Sequence, residues 1–245
     1  MKKYIYWVCL VLVVFLPSVS HAEEGSFIQW QSTNVQLLRG FDYEIGAQDR
    51  TIATFEHAHG HRYGDFYMFV DYTWPDGGDE NYYAEFSPRL SLGKVTGKDF
   101  SYGLIKDVFI STTIEKPEDQ KARYLYGGAV DLNLPGFKFF KTNLYVRDDP
   151  NLDKTYQVTL GWNRPFEIKG QKFLIEGFAD FSGDAGAGKE AHQLIVPRFL
   201  MDVGHATGLN EGKLFMGVEW QYWHNKFGVG GVTESVPQLQ MKYTF

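Results

Sequence analysis

The last eight residues read QLQMKYTF. Leu239, Met241, Tyr243 and Phe245 fall on one face, and Gln238, Gln240, Lys242 and Thr244 on the other. Successive side chains of a β-strand point to opposite faces, so this is a strand with one apolar and one polar side. Chain termini are ordinarily frayed and polar. One that closes on phenylalanine within such a pattern is committed to a sheet.

The alternation recurs along the chain, with charges opposite the apolar residues. Tyr82, Ala84, Phe86, Pro88, Leu90 and Leu92 oppose Tyr83, Glu85, Ser87, Arg89 and Ser91. Tyr156, Val158, Leu160 and Trp162 oppose Gln157, Thr159 and Asn163, and Met216, Val218 and Trp220 oppose Glu219 and Gln221. Pro88, which offers no ladder donor, predicts a bulge or an interrupted bond. Twelve candidate strands follow, near 25–31, 51–58, 63–74, 80–92, 104–115, 121–134, 137–147, 154–164, 171–182, 191–203, 213–224 and 235–245, and the first stretch, SFIQWQSTNVQLLRG, has room for one strand or two. No repeat beyond the two-residue alternation stands out.

Rich aromatics (Phe 20, Tyr 15, Trp 6) and Gly 26 fit an all-β chain. A soluble sandwich would bury one face of each sheet. An antiparallel transmembrane β-barrel, with an apolar outer face and a polar lumen, accounts better for grease opposite charge and for a last strand that closes on the first. An even strand count suits a single-chain barrel with both termini on the periplasmic side. The links at 32–50, TWPDGGDEN, EKPEDQ, RDDPNLD, SGDAGAGKE and HNKFGVGGVTES are expected outside. GHRYG, LPG and FEIKG are expected as short turns on the other side, with GKVTGKDFSYG and GHATGLNEG as longer exceptions.

At the start, Lys2 and Lys3 precede an apolar run from about Ile5 to Leu16. Pro17 breaks it, and Ser20 and Ala22 form a small-residue cleavage site. The expectation is a signal peptide over 1–22 and an outer-membrane barrel over 23–245. The run is too short to span a bilayer as a helix. Cleavage would remove the sole cysteine, Cys9, and take the formal charge from -6 to -8 as two lysines leave. An acidic exported chain without a basic stripe predicts no nucleic-acid partner.

Several stretches resemble the outer-membrane nucleoside-specific channel family of the Tsx/OmpK type. They are FEHAHGHRYGDFYMFVDYTW (with Glu56, His57, Tyr63, Gly64, Asp65, Phe69, Val70 and Asp71), EFSPRLSLGK, VEWQYWHNKFG and SVPQLQMKYTF, in order along the chain. The resemblance implies a monomeric twelve-stranded barrel in the outer membrane, a narrow lumen for nucleosides and a phage-receptor role. Its partners would be the lipid bilayer and lipopolysaccharide, a phage, a small-molecule solute, and the insertion machinery that reads the terminal Phe245.

Inward charges and rings are the candidate solute lane: Glu85, Arg89, Asp131, Tyr145, Arg147, Glu176, Phe178, Asp180, Arg198, Asp202, Glu219 and Trp223, with Tyr83 and Phe215 beside them. Rings stack on a base and polar groups bond a sugar. The competing role is bracing, since inner Arg and Asp or Glu pairs stiffen a narrow barrel. A lumen plugged by such side chains would leave a surface scaffold. Mixed charge argues against a strongly cation-only or anion-only pore.

His57, His59 and His61 share a face and suit a metal by residue type, but Gly60 and the approaching turn argue against a site. His192, His205 and His224, with Ser182 and Ser235, are raw material for a hydrolytic triad; no GxSxG or HExxH motif accompanies them. The expectation is no catalysis, no metal and no cofactor.

Overall fold

The computed structural model describes residues 26–150 and 152–245, and the expected signal peptide lies outside them. Twelve strands run in chain order: β1 (Ile28–Gly40), β2 (Arg50–His61), β3 (Gly64–Pro75), β4 (Asn81–Ser91), β5 (Ile105–Pro117), β6 (Arg123–Leu132), β7 (Phe139–Asp148), β8 (Thr155–Ile168), β9 (Gln171–Ser182), β10 (His192–Asp202), β11 (Leu214–His224) and β12 (Thr233–Thr244). Each pairs antiparallel with its neighbours. β12 closes on β1, with Thr244 opposite Asn34 and Leu239 opposite Arg39. Among the described residues no helix is long and apolar enough to cross a membrane.

The barrel is inside-out relative to a soluble protein. Along β12, Glu234, Gln238, Gln240 and Lys242 are buried in the lumen while Leu239 is 65% exposed and Met241 42%. In water this would waste apolar area; in a bilayer it satisfies every backbone group and presents grease to lipid. Outward aromatics gather toward both rims, with Tyr72 and Trp74 in tilted contact at one and Phe166 and Phe173 stacked at the other.

Two expectations need correction. The first strand is not 25–31 but Ile28–Gly40, and its link to β2 is 41–49 rather than 32–50. Val35 and Leu37 face out and Asn34, Gln36 and Leu38 in. Thr33 and Asn34 fall within the expected link, yet both pair with β2, opposite His57 and Glu56, and Asn34 also pairs with Thr244 of β12. Loop length also does not distinguish the two ends. The longest link is 92–104, at the end that carries both strand termini.

That link and 203–213 each begin with a capped helical turn, α1 (Leu92–Thr96) and α2 (Val203–Thr207). Ser91 and Asp202 accept from the backbone N–H of Lys94 and His205, and left-handed Gly97 and Gly208 end the turns. The underlying segments, SLGKVTG and DVGHATG, share one pattern and follow β4 and β10, which stand six places apart in the ring. A repeat therefore exists that alternation had masked.

Pro88 interrupts its ladder without a bulge. Phe86–Ile114 and Arg89–Ser111 keep one register on either side of it, and Pro197 does the same between Ile195–Tyr222 and Arg198–Glu219.

Candidate functional site: a lumen in two parts

Below, the end carrying the start of β1 and the finish of β12 is the terminal end; the other is the loop end. Toward the terminal end the lumen is crossed by ion pairs. Arg89 holds Asp65 through two bonds of 2.8 and 2.5 Å and Asp131 through two of 2.8 and 3.2 Å, with its guanidinium 4.2 Å from the Phe109 ring centre. Lys141 of β7 returns to Asp65 of β3 at 3.0 Å, a reach of four places around the ring. Arg198 of β10 meets Glu219 at 2.6 Å, Glu56 of β2 at 3.4 Å and Glu176 at 3.8 Å, and Lys242 meets Glu176 at 2.5 Å. The carboxylates are further bonded: Glu56 by Asn34 and Tyr67, Glu176 by Asn163, and Glu219 by Gln238. Bonds between non-neighbouring strands fix how far apart the walls stand. They make this part a constriction braced by satisfied charges.

Toward the loop end the lumen opens into a cavity of about 600 Å³, with a recess of about 60 Å³ at its floor. A bidentate pair, Arg147 with Glu115 at 2.7 and 2.7 Å, stands on one wall, joined by Arg123. On the other, the loop after β11 folds inward. Lys226, 1% exposed, is held by Glu234, 0% exposed, beside Tyr43 and Trp223. Burial lowers the Lys226 ammonium below its ordinary range, with Glu234 pulling the other way. Burial also pushes the Tyr43 phenol well above its usual value, and that hydroxyl donates to Gln238 at 2.6 Å.

All twelve lane candidates lie on strands and separate between these parts. Glu85, Arg147, Phe178, Asp180 and Trp223 line the large cavity, and Phe178, Arg198 and Glu219 line the recess. Arg89, Asp131 and Glu176 belong to the ion-pair constriction. Tyr145 bonds Ser111 at 2.7 Å in the wall. Asp202 caps α2 and also accepts from the Gly212 amide at 2.8 Å. The lane list omitted Phe69 and Asp71, both cavity residues, although FVDY carries the same in-out parity as its neighbours. It also omitted Lys226, for which a loop sequence offers no periodic signal.

His57, His59 and His61 share the outward face, not the lumen. His57 bonds Thr33 at 2.8 Å and His59 at 3.1 Å, His59 stacks on Phe66, and His61 stacks on Phe27. Among the described residues no group of three or more His, Cys, Asp or Glu suits a metal ion. The other histidines among the described residues serve local structure: His205 bonds Glu211 and the Gly170 carbonyl, His192 the Glu190 carbonyl, and His224 Thr233.

Comparisons with known proteins agree with this architecture. The profile of the family described as "Nucleoside-specific channel-forming protein, Tsx" matches residues 26–244. The chain is 27% identical over 169 residues to the outer membrane protein OmpK of Vibrio parahaemolyticus, covering 62% of this chain and 53% of that one. The OmpK of a second strain of that species, serotype O3:K6, is 26% identical over 165 residues, covering 62% and 55%. The chain thus spans about half the length of the curated relatives it matches. Among solved structures, the KdgM porin superposes with a TM-score of 0.52 at 8% identity, over 87% of this chain and 99% of that one. The same porin in complex with disordered oligogalacturonate gives 0.51 at 9% over the same shares. At such identity the likeness concerns the fold alone.

Proposed function

The chain belongs to the nucleoside-specific channel-forming family of outer-membrane β-barrels, and from that premise we propose that it passes small, mostly neutral solutes by passive diffusion, nucleosides first. The observation that carries this is the loop-end cavity. Its Phe69, Tyr83, Phe178 and Trp223 rings stand beside hydroxyl, amide and carboxyl groups, the combination a base and a sugar require. Below it the ion pairs narrow the path, so a solute enters one at a time, as expected of few strands and bulky inner residues.

The braced constriction favours a second reading, a barrel that is mainly a surface receptor or scaffold. Uptake into protein-loaded liposomes, run across nucleosides, sugars and amino acids, separates the two. Nucleoside entry above that of the other classes supports the channel reading; no entry of any solute ends it.

We assign receptor function to the outer loops, 183–190 and 225–235 above all. If shortened-loop barrels that assemble still adsorb every phage that uses the protein, that assignment falls. Residues 1–22 are proposed as the cleaved signal, and Phe245 as the mark read on insertion. The Phe245 amide donates to the Thr33 carbonyl at 3.0 Å and its ring packs on Tyr243. Deleting Phe245 should therefore lower the assembled, heat-modifiable fraction.

A further inference from the structure

The two capped turns stand 111 residues apart, and a likeness at a slightly different spacing runs through the lumen. One separation, 109 residues, relates Phe69 to Phe178, Asp71 to Asp180, Pro88 to Pro197 and Arg89 to Arg198. The first two pairs lie on β3 and β9, which are six places apart in a ring of twelve strands and so on opposite walls. Each aspartate is bound by a threonine from the preceding strand. Thr54 donates to Asp71 at 2.5 Å, and Thr159 donates to Asp180 at 2.5 Å. The same three-residue arrangement of ring, carboxylate and hydroxyl is therefore built twice. Both copies open on one space, since Phe69, Asp71, Phe178 and Asp180 all line the large cavity, and Phe69, Asp71 and Phe178 also line the recess.

Charge pairing separates these aspartates from the carboxylates of the ion-pair constriction, Asp65, Asp131, Glu56, Glu176 and Glu219. Neither forms an ion pair among the described residues, and Glu85 beside them has only the Tyr83 hydroxyl, at 2.6 Å. The cavity's basic groups are already engaged. Arg147 and Arg123 hold Glu115 and Asp149, and Lys226 holds Glu234. Arg50 donates to the Ile45 and Ala47 carbonyls and stacks on Tyr43, and Lys189 donates to the Phe227 carbonyl. Arg198, at the recess, has three carboxylates around it. Five basic side chains face eight carboxylates around the cavity, so its formal balance is -3. An entering anion meets cations with partners, whereas an entering cation meets carboxylates without ionic ones.

We propose that the vestibule contains two equivalent half-sites, Phe69 with Asp71 and Phe178 with Asp180, that together take a flat, positively charged organic solute. The ring of the solute lies against the phenylalanines and its ammonium or amidinium group donates to an aspartate. A solute charged at both ends engages both walls. The proposal rests on the reading that this vestibule is open to solute.

Four probes of one ring and different charge test it on the refolded full-length barrel: 1,4-bis(aminomethyl)benzene, benzylammonium, benzyl alcohol and benzoate. Binding is read at neutral pH by saturation transfer to the probe's ring protons, which needs no transport. The expected order is dication, monocation, alcohol, benzoate, with benzylammonium at least about tenfold tighter than benzoate. Asp71→Asn and Asp180→Asn should each weaken the dication by similar factors, about threefold to tenfold, and leave benzyl alcohol unchanged. Benzoate binding as tightly as benzylammonium overturns the charge preference, a result that requires no variant to fold. A loss confined to one aspartate, in barrels that remain heat-modifiable, overturns the equivalence of the walls. Failure of liposome uptake alongside the expected order would remove the channel reading and leave this site standing.

Discussion

In the terminal part of the lumen Arg89 is shared by Asp65 and Asp131 and Lys141 returns to Asp65, whereas in the loop part Asp71, Glu85 and Asp180 face open space with hydroxyl and amide partners only. Both parts are written with the same inward strand positions and the same residue types. What separates them is whether a cation reaches across. Where it does, opposite walls are fixed at a set distance and the lumen fills; where it does not, a cavity remains. A charge on an inner wall is therefore uninformative until its partner is known.

The largest effect should come from breaking the braced part. Arg89→Leu leaves Asp65 with Lys141 alone and Asp131 without a direct ion pair among the described residues, a loss of about 3–5 kcal/mol when one partner of a buried pair is removed. The folded, heat-modifiable band should melt well below wild type, while Asp71→Asn in the open part should shift it by a small fraction of that. Equal shifts would erase the contrast.

Next in size is Arg198→Ala, which removes the link from β10 to Glu56 on β2 and widens the floor of the vestibule. Single-channel conductance in planar bilayers should rise, about twofold or more for a constriction that limits the current. An unchanged current would place the limiting constriction elsewhere.

The smallest effect lies outside the barrel wall, on α2. Glu211, then the Gly170 carbonyl, hold the exposed His205 imidazole above its ordinary 6.5. A raised folded value contributes stability that is full below the unfolded value and is lost as pH rises through the folded one. Amide exchange at Gly208 and Leu209, which close this turn, should quicken as pH passes above 6.5, beyond the intrinsic pH trend. His205→Gln should lack that extra step.

Much of the barrel was legible because a strand writes its two faces into alternate residues. Val35 and Leu37 carry that signal too, but polar Ser32, Thr33 and Asn34 read as a loop, and their strand partners, Ala58, His57 and Glu56 on β2 with Thr244 of β12 for Asn34, lie elsewhere in the sequence. Inward-facing candidates were legible by parity. Their division into brace and cavity was not, because Arg198 finds Glu56 from 142 residues away and no spacing rule reports it. The repeat went unread since only a few positions survive in both copies, Phe69 and Phe178 among them, and their likeness becomes meaningful once β3 and β9 are known to face each other.

Thiol labelling tests the two-part lumen most directly. A chain refolded from residue 23 onward holds no cysteine, so a single one can be placed at will. Thr73 lines the open cavity, while Ser111, 0% exposed, lies in the packed wall bonded to Asn143 and Tyr145. With a water-soluble maleimide, Thr73→Cys should react nearly as fast as a loop thiol and Ser111→Cys on the order of a hundredfold more slowly, as a local opening would then be required. Equal rates at the two positions would contradict the account, because the lumen would then be either open or closed throughout.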